Sequence, residues 1–516
     1  MLIICVMHAV DAAHYANFSP INGTFQNYNP VRRLIDGQTP YRDFQDYLGL
    51  GHLYFGTLFT VLFGGTYRSS LAAFSFLTFG GLAITSFVMG LAILKKKELA
   101  AAATNIVLMV LTIKPLFFEN WLAGTGEILD ALNYALDTGN SARFVRGMIL
   151  PLLILVLWIG YIGINGIKNM RISKYREVII FSGIGLFSGA SFVWSNDYGI
   201  SCWFCMIIMA FWISFSRSRV ILKAVINAFF ELVGSAIGIV IAGTLLTCGH
   251  LTQWVSSTFG TGGYQGWYYN SPKSYYLYDV DFSYIMLIQA GICIFYMIKI
   301  FKNKGNIVSL RRYAIPGLAN MVSFCAVNEY HLLSGGDSRE VALAVLFLTI
   351  IFEICSIVQA YKRQEVARFT VIASIIISVA WIISDVKEEV IFKYLTDRDG
   401  IYVDALGGNL TFLGDEIIAT NYFLDGNDFF ATYASAQEVV SGTYQPSGTD
   451  YIIHVLGDKQ RENYLDTFDI GSFKYAATIK ETYTDWEYWV QRANWFFYRK
   501  LYEAWHPVYS NTYEVY

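Results

Sequence analysis

The chain has 516 residues, of which 55% are hydrophobic and only 15% are charged, and its mean hydropathy is +0.41. A soluble protein of this composition would expose large apolar patches, whereas a bilayer solvates apolar surface when the backbone is hydrogen-bonded within helices. A formal net charge of −3 and a pI near 6.2 exclude the basic balance typical of a nucleic-acid partner. The composition therefore predicts a polytopic protein of the cell membrane.

Charge is distributed unevenly along the chain. Residues 387–516 contain 10 basic and 20 acidic residues, whereas residues 1–386 contain 27 basic and 20 acidic ones. Residues 1–10 are apolar but too few to cross a bilayer, which predicts a first helix that is truncated here. We therefore expect three parts: the truncated helix and a large first external loop (1–50), a transmembrane bundle (51–386) and a small extracytoplasmic α/β domain (387–516).

Long stretches without Asp, Glu, Lys or Arg indicate the membrane spans. The stretches that approach the roughly 20 residues needed to cross a bilayer are 69–94, 147–167, 178–196 and 198–216. Weaker candidates, two of which contain an acid, are 99–113, 224–248, 282–298, 313–328, 341–361 and 369–384. Residues 51–65 predict a partly embedded helix. The pattern favours an all-α helical bundle of about 10–11 spans.

Lys and Arg recur at every second connection, which predicts the orientation of the bundle. Short cytoplasmic loops carry the excess of positive charge in membrane proteins. The clusters occur at residues 95–97, 168–176, 217–223, 299–312 and 362–368. The alternate connections, the first loop and the acidic tail are then expected on the extracytoplasmic side.

The acidic tail has two informative patterns. Residues 449–456 alternate between polar and apolar side chains, which predicts a strand. Residues 483–505 form an aromatic-dense helical segment. Its aromatic side chains suit either the lipid headgroups or a core against the tail's own sheet.

The first loop is long, polar and aromatic, and it ends against an apolar helix. An acid at such a boundary suits an enzyme whose donor is a lipid-linked sugar. The carboxylate would remove the acceptor proton while cations hold the departing phosphate. The residues at this boundary are Gly37-Gln38-Thr39-Pro40-Tyr41-Arg42-Asp43-Phe44, and they are followed by the apolar residues 51–62 and by Phe63-Gly64.

This pattern resembles the signature of the GT-C superfamily of membrane glycosyltransferases, which includes bacterial relatives of protein mannosyltransferases and of the aminoarabinose transferase acting on lipid A. The match covers the first loop and the helix after it, and the remaining chain agrees in layout. The resemblance implies a helical bundle with a large first external loop. It also implies a polyprenyl-phosphate-sugar donor, inversion at the anomeric carbon and an extracytoplasmic acceptor such as a cell-envelope glycan, lipid or protein.

The resemblance makes Asp43 the first candidate for the general base. Many GT-C enzymes carry an acid earlier in the loop, at a register that falls on Asn22-Gly23 here. Asp11 is therefore a displaced alternative and Asp46 a third. Asp197 lies in a later polar link, where GT-C enzymes often place a second acid. Each of these acids also suits a purely structural loop or turn.

Several cations could bind the lipid phosphate, because guanidinium groups match phosphate oxygens. They are Arg32, Arg33, Arg42, Lys114, Arg143 and Arg146. Anchoring of helix ends by snorkelling is the alternative for each. Glu329 and His331 could bind sugar hydroxyls or cap a loop. A divalent cation could take part, but no metal-ligand set is predicted, since Cys202 and Cys205 lie in an apolar run without a nearby His.

Two other functions agree with the sequence. Glu231 and Glu353 lie inside predicted spans, where an acid is costly, and they would suit a carrier or exporter of polysaccharide or lipid-linked oligosaccharide. A glycan polymerase or ligase is a nearer alternative among enzymes.

Overall fold

A computed structural model represents the protein. It describes residues 1–14, 23–46, 48–94, 96–112, 136, 143–166, 174–196, 198–260, 280–327, 339–361, 365–385, 401–403, 406–410, 419, 422–423, 429–484 and 487–516.

Helices dominate the first 385 residues. In chain order they are α1 (Leu2–His14), α2 (Gly23–Ile35), α3 (Leu50–Leu62), α4 (Tyr67–Leu94), α5 (Lys97–Thr112), α6 (Leu150–Gly166), α7 (Lys174–Trp194), α8 (Gly199–Ser218), α9 (Ile221–Leu246), α10 (Leu251–Gly260), α11 (Val280–Lys302), α12 (Ile307–Ser309), α13 (Ile315–Val327), α14 (Arg339–Tyr361) and α15 (Glu365–Asp385). Two π-helical turns, Val145–Ile149 and Leu310–Ala314, lead into α6 and α13.

Six helices within the described ranges are long and apolar enough to cross a membrane. They include Tyr67–Leu94, Val145–Ile162, Glu177–Trp194, Gly199–Ser218, Ile221–Leu246 and Val341–Gln359. Their lipid-facing sides carry exposed Leu, Ile, Val and Phe side chains, as expected where the solvent is hydrocarbon. The membrane character and the helical bundle are confirmed. The helix α3, which follows the first loop, has 13 residues, fewer than the roughly 20 needed to cross a bilayer.

Described parts of three basic connections lie together at one end of the bundle. Lys223 Nζ at the start of α9 lies 2.6 Å from Glu177 Oε2 at the start of α7. Arg219 donates a 2.6 Å hydrogen bond to the carbonyl oxygen of Phe301 at the end of α11. We call this the basic end.

The residues that follow α2 lie at the opposite end. Tyr54 OH of α3 donates to the carbonyl oxygen of Leu246 at the end of α9, at 2.7 Å. Asn196, in the link between α7 and α8, donates its backbone N–H to the carbonyl oxygen of Leu48 at 3.0 Å. A buried apolar cluster that includes Phe25, Tyr67 and Trp254 joins α2 to this end of the bundle.

The tail folds into a small α/β unit on the same end. Strands β1 (Ile401–Val403) and β2 (Gly408–Leu410) pair antiparallel. In a second sheet, β4 (Tyr475–Ile479) lies between β3 (Phe429–Ala431), which runs parallel to it, and β5 (Glu514–Val515), which runs antiparallel. The helices are α16 (Ser435–Ser441), α17 (Asp458–Ile470), α18 (Glu487–Ala493) and α19 (Trp495–Ala504).

The strand predicted at 449–456 is wrong. Tyr451 makes one isolated antiparallel bridge with Tyr433, and Ile452–His454 form a 3-10 turn. Ile452 lies in that turn and Val455 directly follows it, and both are buried in the core of the tail. Their spacing therefore reflects burial and does not indicate a strand. The aromatic segment predicted at 483–505 supplies α18 and α19, and Phe497 and Tyr498 pack into the core with Phe430 of β3.

Candidate functional site

The turn that carries Asp43 is tightly hydrogen-bonded. We define the Asp43 loop as residues 36–46 and 48–49, between α2 and α3. Tyr41 adopts a left-handed conformation with φ of 63°, and its N–H donates to the Phe44 carbonyl at 2.6 Å. The N–H of Asp43 donates to the Thr39 carbonyl at 2.9 Å. With Phe44 buried, the turn leaves Arg42 and Asp43 at the surface.

The Asp43 carboxylate is partly exposed and ionised. Arg42 donates from Nε to Oδ1 at 2.9 Å and from Nη2 to Oδ2 at 2.7 Å, and the Thr39 N–H donates to Oδ2 at 2.7 Å. The hydrogen bonds from Arg42 hold the pKa of Asp43 below its usual value of 3.8, although partial burial opposes them. The side chain is 31% exposed, so solvent reaches part of the carboxylate. The turn therefore gives Asp43 structural hydrogen bonds and partial exposure together.

Asp46 lies on the inner side of the same loop. It is 6% exposed, and its Oδ1 accepts hydrogen bonds from the N–H groups of Leu48 (2.8 Å) and Gly49 (3.3 Å) just before α3. Burial raises the pKa of Asp46 to about 7, although these N–H groups and the nearby Arg146 favour the ionised form. Two carboxyls three residues apart thus have opposite pKa shifts, which is the arrangement that separates acid and base roles.

The first π-helical turn, which contains Arg146, lies beneath the Asp43 loop. Its guanidinium lies over the ring of Tyr198, 5.8 Å from the ring centroid. Burial, together with the charge of Arg146, lowers the pKa of His52 to about 3, so the imidazole is neutral. Single π-helical turns inside helices are frequent at functional sites. The predicted cation Arg146 and the third candidate acid Asp46 are therefore neighbours.

The later polar link packs against the Asp43 loop. A β-carbon built on Gly49 would lie 2.6 Å from the α-carbon of Ser195, so the two backbones touch there. Because φ of Gly49 is also 112°, only glycine suits this position. The chain before α3, the π-helical turn and the link before α8 thus meet at one place.

The structure places Arg32 and Arg33 in a buried network with the tail. Arg33 Nη2 lies 2.8 Å from Asp450 Oδ1 and 3.1 Å from Glu438 Oε2. Arg32 donates to the Glu438 carbonyl at 3.1 Å. Asn29 Nδ2 bridges the same two carboxylates at 2.5 and 2.6 Å. Because Arg32 and Arg33 are buried against the tail, Arg42 is the predicted cation of this segment that remains exposed.

The other predicted residues lie apart from this turn or outside the described residues. Asp11 lies in the last turn of α1, where its charge acts on His8. Arg143 is 4% exposed and precedes the π-helical turn that contains Arg146. Predicted residues outside the described ranges include Lys114, Asp197, Glu329 and His331.

Sequence reasoning missed the partners that the tail supplies. Glu438, Gln445, Gly448 and Asp450 contact α2 or the Asp43 loop, more than 400 residues away in sequence. A turn signal was present, because Pro446-Ser447-Gly448-Thr449-Asp450 is rich in turn formers. Nothing in a turn signal indicates which surface the turn contacts.

Cys202 and Cys205 are the two cysteines for which the sequence predicts packing and no metal site. Cys202 Sγ lies 3.0 Å from the Gly147 carbonyl, and Cys205 Sγ lies 3.6 Å from Cys325 Sγ, as expected for packed thiols. Among the described residues, no group of three or more His, Cys, Asp or Glu side chains could hold a metal ion.

Comparison with known proteins adds no relative. No family model, no curated protein and no solved structure matches the chain.

Proposed function

We propose that the chain is an integral membrane glycosyltransferase that transfers a sugar from a polyprenyl-phosphate donor to an extracytoplasmic acceptor. The observation that carries the proposal is the Asp43–Arg42 pair. A partly exposed, ionised carboxylate and an exposed guanidinium lie side by side at the end of the bundle opposite the basic connections. Both belong to the segment that resembles the GT-C signature.

The chemistry needs these two kinds of group together. An acceptor hydroxyl attacks the anomeric carbon while the bond from that carbon to the phosphate oxygen breaks. Asp43 takes the hydroxyl proton, and the phosphate leaves with the bonding electron pair. A cation beside the reacting centre stabilises the charge that develops on the phosphate, and we assign this role to Arg42. Attack opposite the leaving group inverts the anomeric carbon, as the resemblance implies.

The proposed sidedness rests on the positive-inside rule. Arg219 and Lys223 lie at the basic end, which the rule assigns to the cytoplasm. The Asp43 loop and the tail would then face the extracytoplasmic side. Polyprenyl donors are membrane lipids, so a site at the membrane boundary is accessible to their headgroups. The predicted count of about 10–11 spans belongs to the same proposal.

The test is an assay of Asp43→Asn in native membranes with a lipid-linked sugar donor. We expect turnover to fall by about 100-fold or more, since a positioned general base contributes about 10²–10⁴. Asp469→Asn is the matched control, because Asp469 is a surface acid paired with Lys500 away from the loop. Full turnover of Asp43→Asn at normal expression would contradict the proposal. The identity of the consumed donor also separates a single-sugar transferase from a polymerase or ligase.

One observation favours a carrier as the second candidate. Glu231 is fully buried in α9, and neither of its carboxyl oxygens has a hydrogen-bond partner in the described chain. Unpaired acids at membrane depth often line substrate or ion pathways. Purified protein in sealed vesicles distinguishes the two functions, because a carrier moves the lipid-linked sugar without cleaving it.

A further inference from the structure

Glu231 lies near the middle of α9, which packs closely against α7. It is ten residues after the start of α9 and 15 before its end, and 0% of it is exposed. Both carboxyl oxygens are buried, and neither accepts or donates a hydrogen bond among the described residues. Buried polar groups are almost always paired, so an orphan acid in a membrane span calls for a specific explanation.

α7 and α9 are in backbone contact at Glu231 and beyond it. A β-carbon on Gly185 of α7 would lie 2.0 Å from the carbonyl oxygen of Glu231 itself. One turn further, a β-carbon on Gly189 would lie 2.2 Å from the Ser235 carbonyl oxygen. Gly234 of α9 contacts the Ser182 carbonyl oxygen in the same way, at 2.1 Å. Small residues spaced by four allow two helices to meet at their backbones.

The polar neighbours of Glu231 on α9 are paired. One turn earlier, Asn227 donates to Ser214 Oγ of α8 at 2.8 Å. One turn later, Ser235 Oγ accepts from Trp203 Nε1 of α8 at 2.8 Å. The three residues share one face of α9, because residues four apart in a helix lie above each other. The structure therefore provides α8 partners on both sides of Glu231 and leaves the acid without one.

The other intramembrane acid has the opposite environment. Glu353 of α14 receives two hydrogen bonds from Arg312, one of them to Oε1 at 2.7 Å. Tyr296 OH also donates to Glu353 Oε1 at 2.8 Å. An acid inside this bundle can thus be paired with a cation. Glu231 has no such cation.

The charged groups of the surrounding helices lie far from Glu231. The titratable residues of α7 are confined to its first turn, where Glu177 is paired with Lys223 of α9. Lys223 is two turns from Glu231, about 12 Å along the axis. On α8, Arg217 is near the basic end, and Cys202 and Cys205 contact other helices. The packed helix α10 contains no titratable residue, and His250 just precedes it.

We propose that Glu231 is an intramembrane proton-binding site, and that its proton exchanges with water only when the contact between α7 and α9 opens. An unpaired carboxylate at this depth is costly. Binding of a proton, the smallest possible ligand, neutralises it. A hydrated cation would need space open to solvent, and 0% of Glu231 is exposed. The proposal does not rest on Asp43 or on glycosyl transfer, so it stands or fails separately.

Infrared spectroscopy of the full chain in lipid bilayers tests the site, since a protonated carboxyl and a carboxylate absorb at different frequencies. We expect a carboxylic-acid band that disappears in Glu231→Gln, that shifts in Glu231→Asp and that persists in Glu353→Gln. The band should decrease as the pH is raised and recover when the pH is returned. The aspartate variant keeps the assignment testable if the glutamine variant does not fold. The absence of any Glu231-dependent band would overturn the proposal, and so would a band that pH does not change.

Two glycines of α7 test the link between proton exchange and helix contact. Gly185→Ala places a methyl group against the Glu231 carbonyl, whereas a β-carbon on Gly183 meets nothing within 4 Å. Both substitutions add one methyl group to the same helix. We expect Gly185→Ala to move the titration of the band to lower pH by about one unit or more, since water then stabilises the carboxylate. Gly183→Ala should leave it unchanged. Equal behaviour of the two variants would overturn the coupling to helix contact.

Discussion

The carbonyl oxygen of Asp43 lies against Gly448, so closely that a β-carbon on Gly448 would be 2.5 Å from it. The Gly448 carbonyl accepts a hydrogen bond from the Gln45 N–H at 2.8 Å. The tail therefore fixes the backbone on both sides of Phe44. Any function of the Asp43 loop therefore depends on the position of the tail.

Gly448→Ala should displace the loop and lower transfer activity by about tenfold or more, since misplacement of about 1 Å can cost 10²-fold. Gly442→Ala is the matched control. Both glycines have positive φ, 66° and 71°, so both variants carry the left-handed backbone penalty. A β-carbon on Gly442 meets nothing within 4 Å. Initial rates in membranes check the prediction, and equal rates for the two variants would show that the contact does not position Asp43.

Arg42→Gln should change the pH dependence of activity. Arg42 keeps the pKa of Asp43 below 3.8, so the ionised form persists as the pH falls. Without Arg42 the pKa returns upward, and the acid limb of the pH–rate profile should move to higher pH. Arg499→Gln removes another exposed arginine, which is paired with Glu503, and should leave the profile unchanged. An acid limb that stays in place in Arg42→Gln would argue against Asp43 as the titrating base.

Arg33→Met should loosen the tail from the bundle. The substitution leaves the carboxylates of Glu438 and Asp450 without the guanidinium that contacts both of them. Removing one partner of a buried ion pair typically costs about 3–5 kcal/mol. Limited proteolysis and thermal unfolding in detergent check this, with Arg499→Gln again as the surface control. Unchanged protease resistance would mean that other contacts hold the tail.

Glu487→Gln should make the tail less sensitive to alkaline pH. Burial raises the pKa of Glu487 from 4.5 to about 8, although Tyr433 and Tyr498 donate hydrogen bonds to it. The folded state then binds the proton more tightly than the unfolded state. The resulting stabilisation is complete below about pH 4.5 and is lost as the pH rises to about 8. The loss is on the order of a few kcal/mol.

Glutamine cannot ionise, its carbonyl oxygen can accept from one of the two tyrosine hydroxyls, and its amide N–H can donate to the oxygen of the other. Thermal unfolding monitored by tryptophan fluorescence should therefore show a higher melting temperature for Glu487→Gln than for the parent at about pH 9. The difference should vanish at acidic pH. A parent whose melting temperature does not fall with pH would contradict the assignment.

The spans were the most predictable part of the fold. The charge-free stretches 69–94 and 198–216 lie within α4 and α8 almost residue for residue. An apolar run of that length has few alternatives to a helix, because hydrocarbon forces each backbone group to pair within its own segment. The strand expected at 449–456 was wrong because alternation over a few residues is also produced by a turn that buries Ile452 and Val455.

The sequence by itself determined that this protein is a helical membrane protein, and it singled out Asp43 and Arg42 through their local motif. Only the tertiary structure shows which charged side chains are paired and which are not. It pairs Arg33 with acids more than 400 residues away, and it separates Glu353, which is bound to Arg312, from Glu231, which has no partner in the described chain. Composition and spacing indicate which single segments are apolar enough to enter lipid. The protonation and pairing of a buried charge depend instead on which distant side chain packs beside it.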